Sequence, residues 1–222
     1  MQILRAALFS VLLATIMGLT LFGAAGRVDV PMFWVYLAVW LAIGSISLAT
    51  LDPELARERM RPAGPGKDNL TLLRILAGPL FLSHLILAGL DVGRFHWSPA
   101  MPWFVSTAGL VVFTGAFAWA TWARNTNRFF SSAVRIQTDR GHHVVTAGPY
   151  HFVRHPGYLG FIVISMASSI ALGSWAGLIP VTVILCAFIR RTALEDRMLQ
   201  GELAGYADYA KTVRYRLVPG VW

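Results

Sequence analysis

The segment GPYHFVRHPGYLG (residues 148–160) leads directly into two apolar runs, Tyr158 to Leu172 and Trp175 to Ile189. A Gly-Ser pair separates the two runs, so the pattern predicts a helical hairpin that crosses a membrane and returns. Pro156 suits the first turn of the following helix, and His155 before it is expected to be extended. The hairpin would bring the polar segment close to the residues that follow Ile189.

Four longer apolar runs precede this hairpin. Each approaches or exceeds the roughly 20 residues that span about 30 Å of hydrocarbon. The first is interpreted as a retained helix rather than a signal peptide, because its apolar stretch is long for a signal. The sequence therefore predicts an all-α polytopic membrane protein with about six transmembrane helices, the first four being Leu4 to Ala25, Met32 to Leu51, Leu70 to Leu90 and Met101 to Ala123.

The composition supports lipid as the solvent. Hydrophobic residues make up 56% of the chain and charged residues only 14%, against roughly 45–50% and 25% in soluble domains. The net charge of +8 comes from basic residues that flank apolar runs, which favours lipid headgroups over nucleic acid as a partner. The single cysteine, Cys186, excludes an internal disulfide and a cysteine-based metal cluster, and adjacent His142 and His143 do not make a metal site without further ligands.

The distribution of Lys and Arg predicts the orientation. If the amino terminus lies in the cytoplasm, all 19 of these residues fall in cytoplasmic segments except Arg27, Arg94 and Arg74. Arg74 lies one turn into the third span and can reach the cytoplasmic surface. This asymmetry predicts that both termini and the segment from residue 148 face the cytoplasm, in a protein of the bacterial inner (plasma) membrane.

We expect one membrane domain over residues 1–222. Residues 1–123 would form the four amino-terminal spans, and residues 124–222 the catalytic, cofactor-binding region. In this region Arg190 to Val213 is charged but periodic, which predicts an amphipathic cytoplasmic helix. The mixed charges of Asp52 to Arg61 have two interpretations, a solvated turn or a cover for the cofactor pocket, and Gly64, Pro65 and Gly66 prevent the helix from continuing.

Two positions have competing structural and functional interpretations. His84 lies mid-span, where an ionisable residue is a functional candidate, but a neutral histidine bonded to a neighbouring helix also explains it. The string before Pro156 could be an interfacial anchor, with arginine at headgroups and tyrosine in an aromatic belt. The whole string together with Arg191 and Glu195 across the hairpin instead favours a binding pocket.

The ordered pattern Gly-x-Tyr-x-x-x-Arg-His-Pro-x-Tyr-x-Gly, then a hairpin, then Arg-x-x-x-Glu-acid, resembles the integral membrane methyltransferases. These are the isoprenylcysteine carboxyl methyltransferases and the related phospholipid methyltransferases. The resemblance covers roughly Ile136 to Trp222. It implies S-adenosylmethionine as the cofactor, bound in a cytoplasmic pocket. The cofactor-binding positions that it implies are Gln137, His143, Val144, Val145, Tyr150, Arg154, His155, Pro156, Tyr158 and Glu195.

The same resemblance assigns Arg191 to the substrate side and makes Arg191 and Glu195 the catalytic pair. The second acid of the usual Glu-Glu pair is Asp196, whose shorter reach leaves its role open. The expected reaction is O-methylation of a carboxylate on a lipidic or prenylated small molecule or protein. The alternatives are N-methylation of a phospholipid amine, an NADPH-dependent membrane reductase of related architecture, and a non-catalytic membrane subunit. The oligomeric state has no sequence signal.

Overall fold

The computed structural model describes the backbone of residues 2–62 and 71–222 and the side chains of residues 4–62 and 78–222. All regular secondary structure in these residues is helical, as predicted. The predicted break at Gly64, Pro65 and Gly66, the charge of Lys67 and the side chain of Arg74 lie outside the described residues. The described α-helices are α1 (Gln2–Ala25), α2 (Pro31–Ala49), α3 (Pro53–Met60), α4 (Thr71–Leu90), α5 (Trp103–Thr126), α6 (Pro156–Ala171), α7 (Leu178–Glu202) and α8 (Tyr206–Thr212).

Several of these helices have the length and composition of membrane spans. Among the described residues, three qualify on both counts, over Leu4–Ala25, Pro31–Ala49 and Trp103–Thr126. Helix α6 is also apolar but shorter, with 16 residues. A polytopic membrane protein is therefore confirmed, while the number of six spans stays a prediction.

The chain forms two compact units, of which the first comprises Met1–Thr50, Ala77–Ala118 and Ile162–Leu185. Large side chains from α1, α2, α4 and α5 fill its core, among them Leu21, Phe33, Leu85 and Phe113, each at most 1% exposed. Helix α1 also meets the chain just after α4 at very close range. A Cβ on Gly93 would lie 2.4 Å from the Cβ of Ala25, so only glycine permits this approach.

His84 is fully buried in this first unit and makes hydrogen bonds through both ring nitrogens. Its Nε2 lies 2.8 Å from the Ser168 hydroxyl, and its Nδ1 lies 3.0 Å from the Ser169 hydroxyl. The Ser168 hydroxyl in turn lies 2.7 Å from the hydroxyl of Tyr36. The interpretation of His84 as a histidine bonded to a neighbouring helix is confirmed. The network links α2, α4 and α6 through hydrogen bonds, for which lipid hydrocarbon offers no partner.

The predicted helical hairpin is confirmed, but its second arm differs from the prediction in length. Helix α6 begins at Pro156 as expected, and Gly173 adopts a positive φ of 80° in the connection. Helix α7 begins at Leu178 and runs without interruption to Glu202. The segment from Arg190 is therefore not a separate amphipathic helix, because neither glycine nor proline interrupts the chain there. Gly205, with φ of 80°, separates α7 from the short helix α8.

Candidate active site

The second unit comprises Leu51–Leu76, Trp119–Phe161 and Cys186–Trp222. It contains every site residue that the sequence predicted. Its apolar cluster packs the carboxyl-terminal part of α7 and α8 against the chain around Val134. The cluster consists of Val134, Met198, Leu199, Leu203, Tyr206, Tyr209 and Val213.

The polar string before α6 is held by contacts to the carboxyl-terminal tail. The Arg154 N–H donates to the Tyr215 carbonyl at 3.0 Å, and the His155 N–H donates to the Arg216 carbonyl at 2.9 Å. The His155 carbonyl then accepts from the Tyr158 and Leu159 N–H groups, both at 3.1 Å, which closes the first turn of α6. The backbone pairing fixes where this helix starts.

Tyr150 lies in a short helical turn (Gly148–His151) that precedes this string. Its hydroxyl accepts a hydrogen bond from Nδ2 of Asn127 at 3.1 Å, and its carbonyl accepts one from the Tyr209 hydroxyl at 2.6 Å. Burial raises the pKa of the Tyr150 phenol above its usual range. Tyr150 is therefore a neutral, anchored side chain near neutral pH.

Tyr158, Arg191 and Glu195 form a connected triad across the hairpin. The Tyr158 hydroxyl donates to Oε2 of Glu195 at 2.5 Å and accepts from Nε of Arg191 at 2.8 Å. Nε of Arg191 lies 4.0 Å from the same Glu195 oxygen, and the guanidinium carbon lies 5.4 Å from the centre of the Tyr158 ring. The expectation that the hairpin brings Tyr158 to Arg191 and Glu195 is confirmed. The arrangement fixes a cation and a partly exposed carboxylate side by side.

Asp196, whose role the sequence left open, is the centre of a buried network. Its carboxylate is fully buried and accepts two hydrogen bonds from Arg154, at 2.7 Å from Nε and 3.1 Å from Nη2. Arg216 donates to it from Nε at 2.8 Å, and the Tyr206 hydroxyl donates at 3.1 Å. The His155 ring lies 3.3 Å from the same carboxylate.

The electrostatics of this network keep Asp196 ionised. Burial opposes the charged form, but the hydrogen bonds from His155, Arg154 and Arg216 outweigh it and hold the pKa of Asp196 well below its usual range. Arg154 also donates from Nη1 to the Val213 and Arg214 carbonyls, at 2.9 Å and 2.8 Å. The Arg154 guanidinium thus serves to join α7 to the tail, and its contact with a cofactor stays a prediction.

Gln137 lies in a tight turn with its side chain bonded to the protein. Its Nε2 donates to the Phe129 carbonyl at 2.7 Å, and its Oε1 accepts from Nη1 of Arg140 at 2.6 Å. The Gln137 N–H donates to Nδ1 of His142 at 3.2 Å, which requires that nitrogen to be unprotonated. Burial, followed by the charges of His143, Arg135 and Arg140, lowers the pKa of His142 to about 4. This turn is therefore built around a neutral His142.

The chain after this turn, residues 143–146, has no helical structure. Within the part of the chain that the structure describes, no backbone hydrogen bond involves the N–H or carbonyl groups of these four residues. His143 is exposed, whereas Val144 and Val145 are partly buried. Free backbone donors and acceptors beside apolar side chains suit an aromatic, polar-edged ligand.

Helix α3 occupies the stretch for which a solvated turn was one interpretation, and that interpretation is wrong. Asp52 caps the helix by accepting from the Glu54 and Leu55 N–H groups, each at 2.9 Å. Leu55 is 2% exposed and Glu58 is 6% exposed. Glu58 accepts hydrogen bonds from Nη2 of Arg135 and from the Ser131 hydroxyl, both at 3.1 Å. The Asp-Pro start is a recognisable helix cap, but a buried Glu58 has no signal in the sequence.

Comparison with known proteins relates part of the chain to one family of enzymes. Residues 107–201 match the isoprenylcysteine carboxyl methyltransferase (ICMT) family. A probable protein-S-isoprenylcysteine O-methyltransferase of Oryza sativa subsp. indica is 29% identical over 158 residues, which cover 67% of this chain and 81% of the relative. Protein-S-isoprenylcysteine O-methyltransferase B of Arabidopsis thaliana is 25% identical over 154 residues, covering 67% of this chain and 78% of the relative. The segment that carries the triad is therefore similar to the isoprenylcysteine carboxyl methyltransferases.

The resemblance that the sequence motif indicated is thereby confirmed, and with it a family of methyltransferase enzymes. A shorter match, to the protein-S-isoprenylcysteine O-methyltransferase of Schizosaccharomyces pombe, is 30% identical over 86 residues and covers 38% of this chain and 36% of the relative. The ICMT segment contains the triad of Tyr158, Arg191 and Glu195. Helix α3 lies outside this segment, so its contribution to the site rests on the structure.

Proposed function

We propose that this protein is an S-adenosylmethionine-dependent methyltransferase that esterifies a carboxylate on a prenylated or otherwise lipidic substrate. The observation that carries the proposal is the fixed pair of Arg191 and Glu195, bridged by the Tyr158 hydroxyl. The names of its relatives in rice and Arabidopsis support the carboxylate over an amine as acceptor.

The residues present fit S-adenosylmethionine, which supplies an activated methyl group on a sulfonium. The unused backbone groups of residues 143–146 suit the edge of an adenine ring, and Val144 and Val145 offer it apolar contact. Glu195, with its side chain 21% exposed, offers a negative charge to a cationic ligand. His143, Val144, Val145 and Glu195 are therefore the residues of this chain that we assign to the cofactor.

The acceptor chemistry needs no general base. A carboxylate is ionised near pH 7, so its oxygen attacks the methyl carbon directly. S-adenosylmethionine, when bound, would supply the methyl group from its sulfonium sulfur, which would keep the bonding electron pair, and the protein would transfer no proton. What remains for the protein is to hold the reacting atoms in line, which contributes about 7–11 kcal/mol in well-oriented reactions.

Arg191 supplies that orientation. Nε is committed to Tyr158 and Nη2 to the Ser132 carbonyl at 2.9 Å, so the guanidinium plane is fixed before substrate binds. Its remaining N–H groups can donate charge-assisted hydrogen bonds to one oxygen of a carboxylate, which leaves the other oxygen to attack. The Tyr158 hydroxyl contacts both Arg191 and Glu195, whose own separation is 4.0 Å.

The bilayer supplies the apolar part of the substrate in this proposal. A prenyl or acyl chain partitions into lipid, and its carboxylate stays at the surface. The asymmetry of Lys and Arg along the sequence supports a cytoplasmic site, with both termini on the same side.

The test is methyl transfer by purified protein in lipid nanodiscs with labelled S-adenosylmethionine and a blocked farnesylcysteine. We expect Arg191→Ala and Glu195→Ala to abolish transfer while retaining the wild-type elution volume and helical circular dichroism. Arg197→Ala is the matched control, because Arg197 is exposed on the same helix. Wild-type turnover in both site variants would overturn the assignment.

Parallel binding measurements separate the alternatives. Affinity for S-adenosylmethionine without affinity for NADPH supports the methyltransferase. Affinity for NADPH alone would favour a reductase, and binding of neither would favour a non-catalytic subunit. Methyl transfer to a phospholipid amine but not to the farnesylcysteine would favour the N-methyltransferase.

A further inference from the structure

Helix α3 carries a second arginine to the same site. The cap at Asp52 and the burial of Leu55 and Glu58 fix the position of this helix in the second unit. Arg59 follows Glu58 directly. The carbonyl of Arg59 accepts a hydrogen bond from the Ser132 hydroxyl at 2.8 Å, so its backbone is tied to the turn at residues 130–132.

The Arg59 side chain is anchored on that turn by a hydrogen bond and a ring contact. Its Nη1 donates to the Phe130 carbonyl at 3.2 Å, and its guanidinium carbon lies 5.2 Å from the centre of the Phe130 ring. The Phe130 ring also packs directly against Gly157, where a Cβ would lie 2.3 Å from the ring. Phe130 thus connects Arg59 to the first turn of α6. In the part of the chain that the structure describes, no carboxylate pairs with Arg59.

Arg59 and Arg191 converge on the same three-residue turn. Arg59 donates to the Phe130 carbonyl, and Arg191 donates to the Ser132 carbonyl two residues later. Burial lowers the pKa of Arg59, Tyr158 opposes this shift, and the positive charge of Arg191 adds to it. Arginine nevertheless stays charged in proteins, so two cations share a partly buried site.

Two arginine charges in one partly buried site raise the free energy of the folded protein unless an anion pairs with them. A desolvated charge without a partner destabilises a fold, and two like charges at close range add to that cost. Glu195 lies 4.0 Å from Arg191 and is bonded to Tyr158, which leaves an excess of positive charge. An incoming carboxylate has two oxygens and can accept from both arginines.

We propose that Arg59 and Arg191 together bind the carboxylate of the methyl acceptor, with α3 acting as one wall of the acceptor site. This inference rests on the proposed function. One carboxylate oxygen would be held by the two guanidinium groups, and the other would be directed at the methyl carbon. Arg59 thereby selects acceptors that end in a carboxylate over neutral analogues of the same shape.

The test compares Arg59→Gln and Arg59→Lys with the control Arg57→Gln, since Arg57 is an exposed arginine on the same helix. The ligands are a blocked farnesylcysteine and its carboxamide, which differ only in the charged group. We expect Arg59→Gln to raise the KM of the carboxylate acceptor about 10-fold or more, as for the loss of a hydrogen bond to a charged group. Arg59→Lys should recover part of the loss, and Arg57→Gln should behave as wild type.

Two further measurements accompany the KM, namely the Kd of S-adenosylmethionine and the relative binding of the carboxylate and the carboxamide. The Kd of S-adenosylmethionine should change less than about twofold in Arg59→Gln, which excludes the cofactor's own carboxylate as the anion. Wild type should bind the carboxylate about 10-fold more tightly than the carboxamide, and Arg59→Gln should reduce that preference, because only Arg191 then recognises the charge. An unchanged carboxylate KM in a folded Arg59→Gln protein, or a change only in the Kd of S-adenosylmethionine, would overturn the inference.

The two proposals fail separately. A wild-type protein that transfers no methyl group contradicts the proposed function, whereas the competition between carboxylate and carboxamide can still be measured as binding. Equal binding of the two ligands by wild type would then contradict the role of Arg59 directly.

Discussion

Replacing Asp196 with asparagine would remove the negative charge at the centre of the buried network. Arg154 and Arg216 would lose their common ionic partner, and the new amide would place a donor against their donors. Breaking a buried ion pair by neutralising one partner costs about 3–5 kcal/mol. In a protein of this size each kcal/mol corresponds to roughly 2–4 °C in Tm, so we expect Asp196→Asn to lower Tm by about 6–20 °C.

The assay is thermal unfolding of the purified protein in one detergent, followed by tryptophan fluorescence. Asp208→Asn is the matched control, because Asp208 forms an exposed ion pair with Lys211 at 2.7 Å; exposed pairs of this kind contribute little. We expect no measurable change in the Tm of the control.

The pH dependence gives a second check on Asp196. Its pKa in the folded protein is held below the usual range, so its stabilising contribution is present above the unfolded pKa of about 4 and is lost only as pH falls towards the folded value. The penalty of Asp196→Asn should therefore be constant between about pH 5 and pH 8. Equal Tm values for Asp196→Asn and Asp208→Asn would refute the reasoning.

Two further predictions concern residues beside the network. Tyr158→Phe removes the hydroxyl that bridges Arg191 and Glu195, and we expect kcat/KM for methyl transfer to fall about 10-fold or more, with elution volume and Tm as controls for folding. His142 has a folded pKa of about 4 against about 6.5 unfolded, so the unfolded state binds more protons between these values and stability should fall as pH drops through that window. His142→Phe should flatten this part of the Tm profile, and an unaltered slope would contradict the assignment.

Local sequence signals predicted the parts of the structure that depend on neighbouring residues. Pro156 marked the start of α6, and the glycine-rich break after Leu172 marked the turn of the hairpin. Because a hairpin returns the chain to its starting face, the proximity of Tyr158 to Arg191 and Glu195 also followed from the sequence. The continuation of α7 through Arg190 was missed, since a change from apolar to charged residues does not by itself end a helix.

The parts that the sequence did not predict depend on distant partners. Asp196 meets Arg154 from 42 residues away and Arg216 from 20 residues away, and no local pattern reports such a pairing. Glu58 meets Arg135 across 77 residues, which is why the charges of α3 resembled a solvated surface. Buried ion pairs have the composition of exposed segments, and only the fold distinguishes them.

The most direct test of the central claim is the chemical nature of the transferred methyl group. Wild-type protein would be incubated with S-adenosylmethionine labelled in the methyl group and with a blocked farnesylcysteine that carries a free carboxylate. Our account predicts a labelled methyl ester, which releases volatile methanol in mild alkali, and no product from the carboxamide. Label that resists alkali, or equal labelling of the carboxamide, would contradict it.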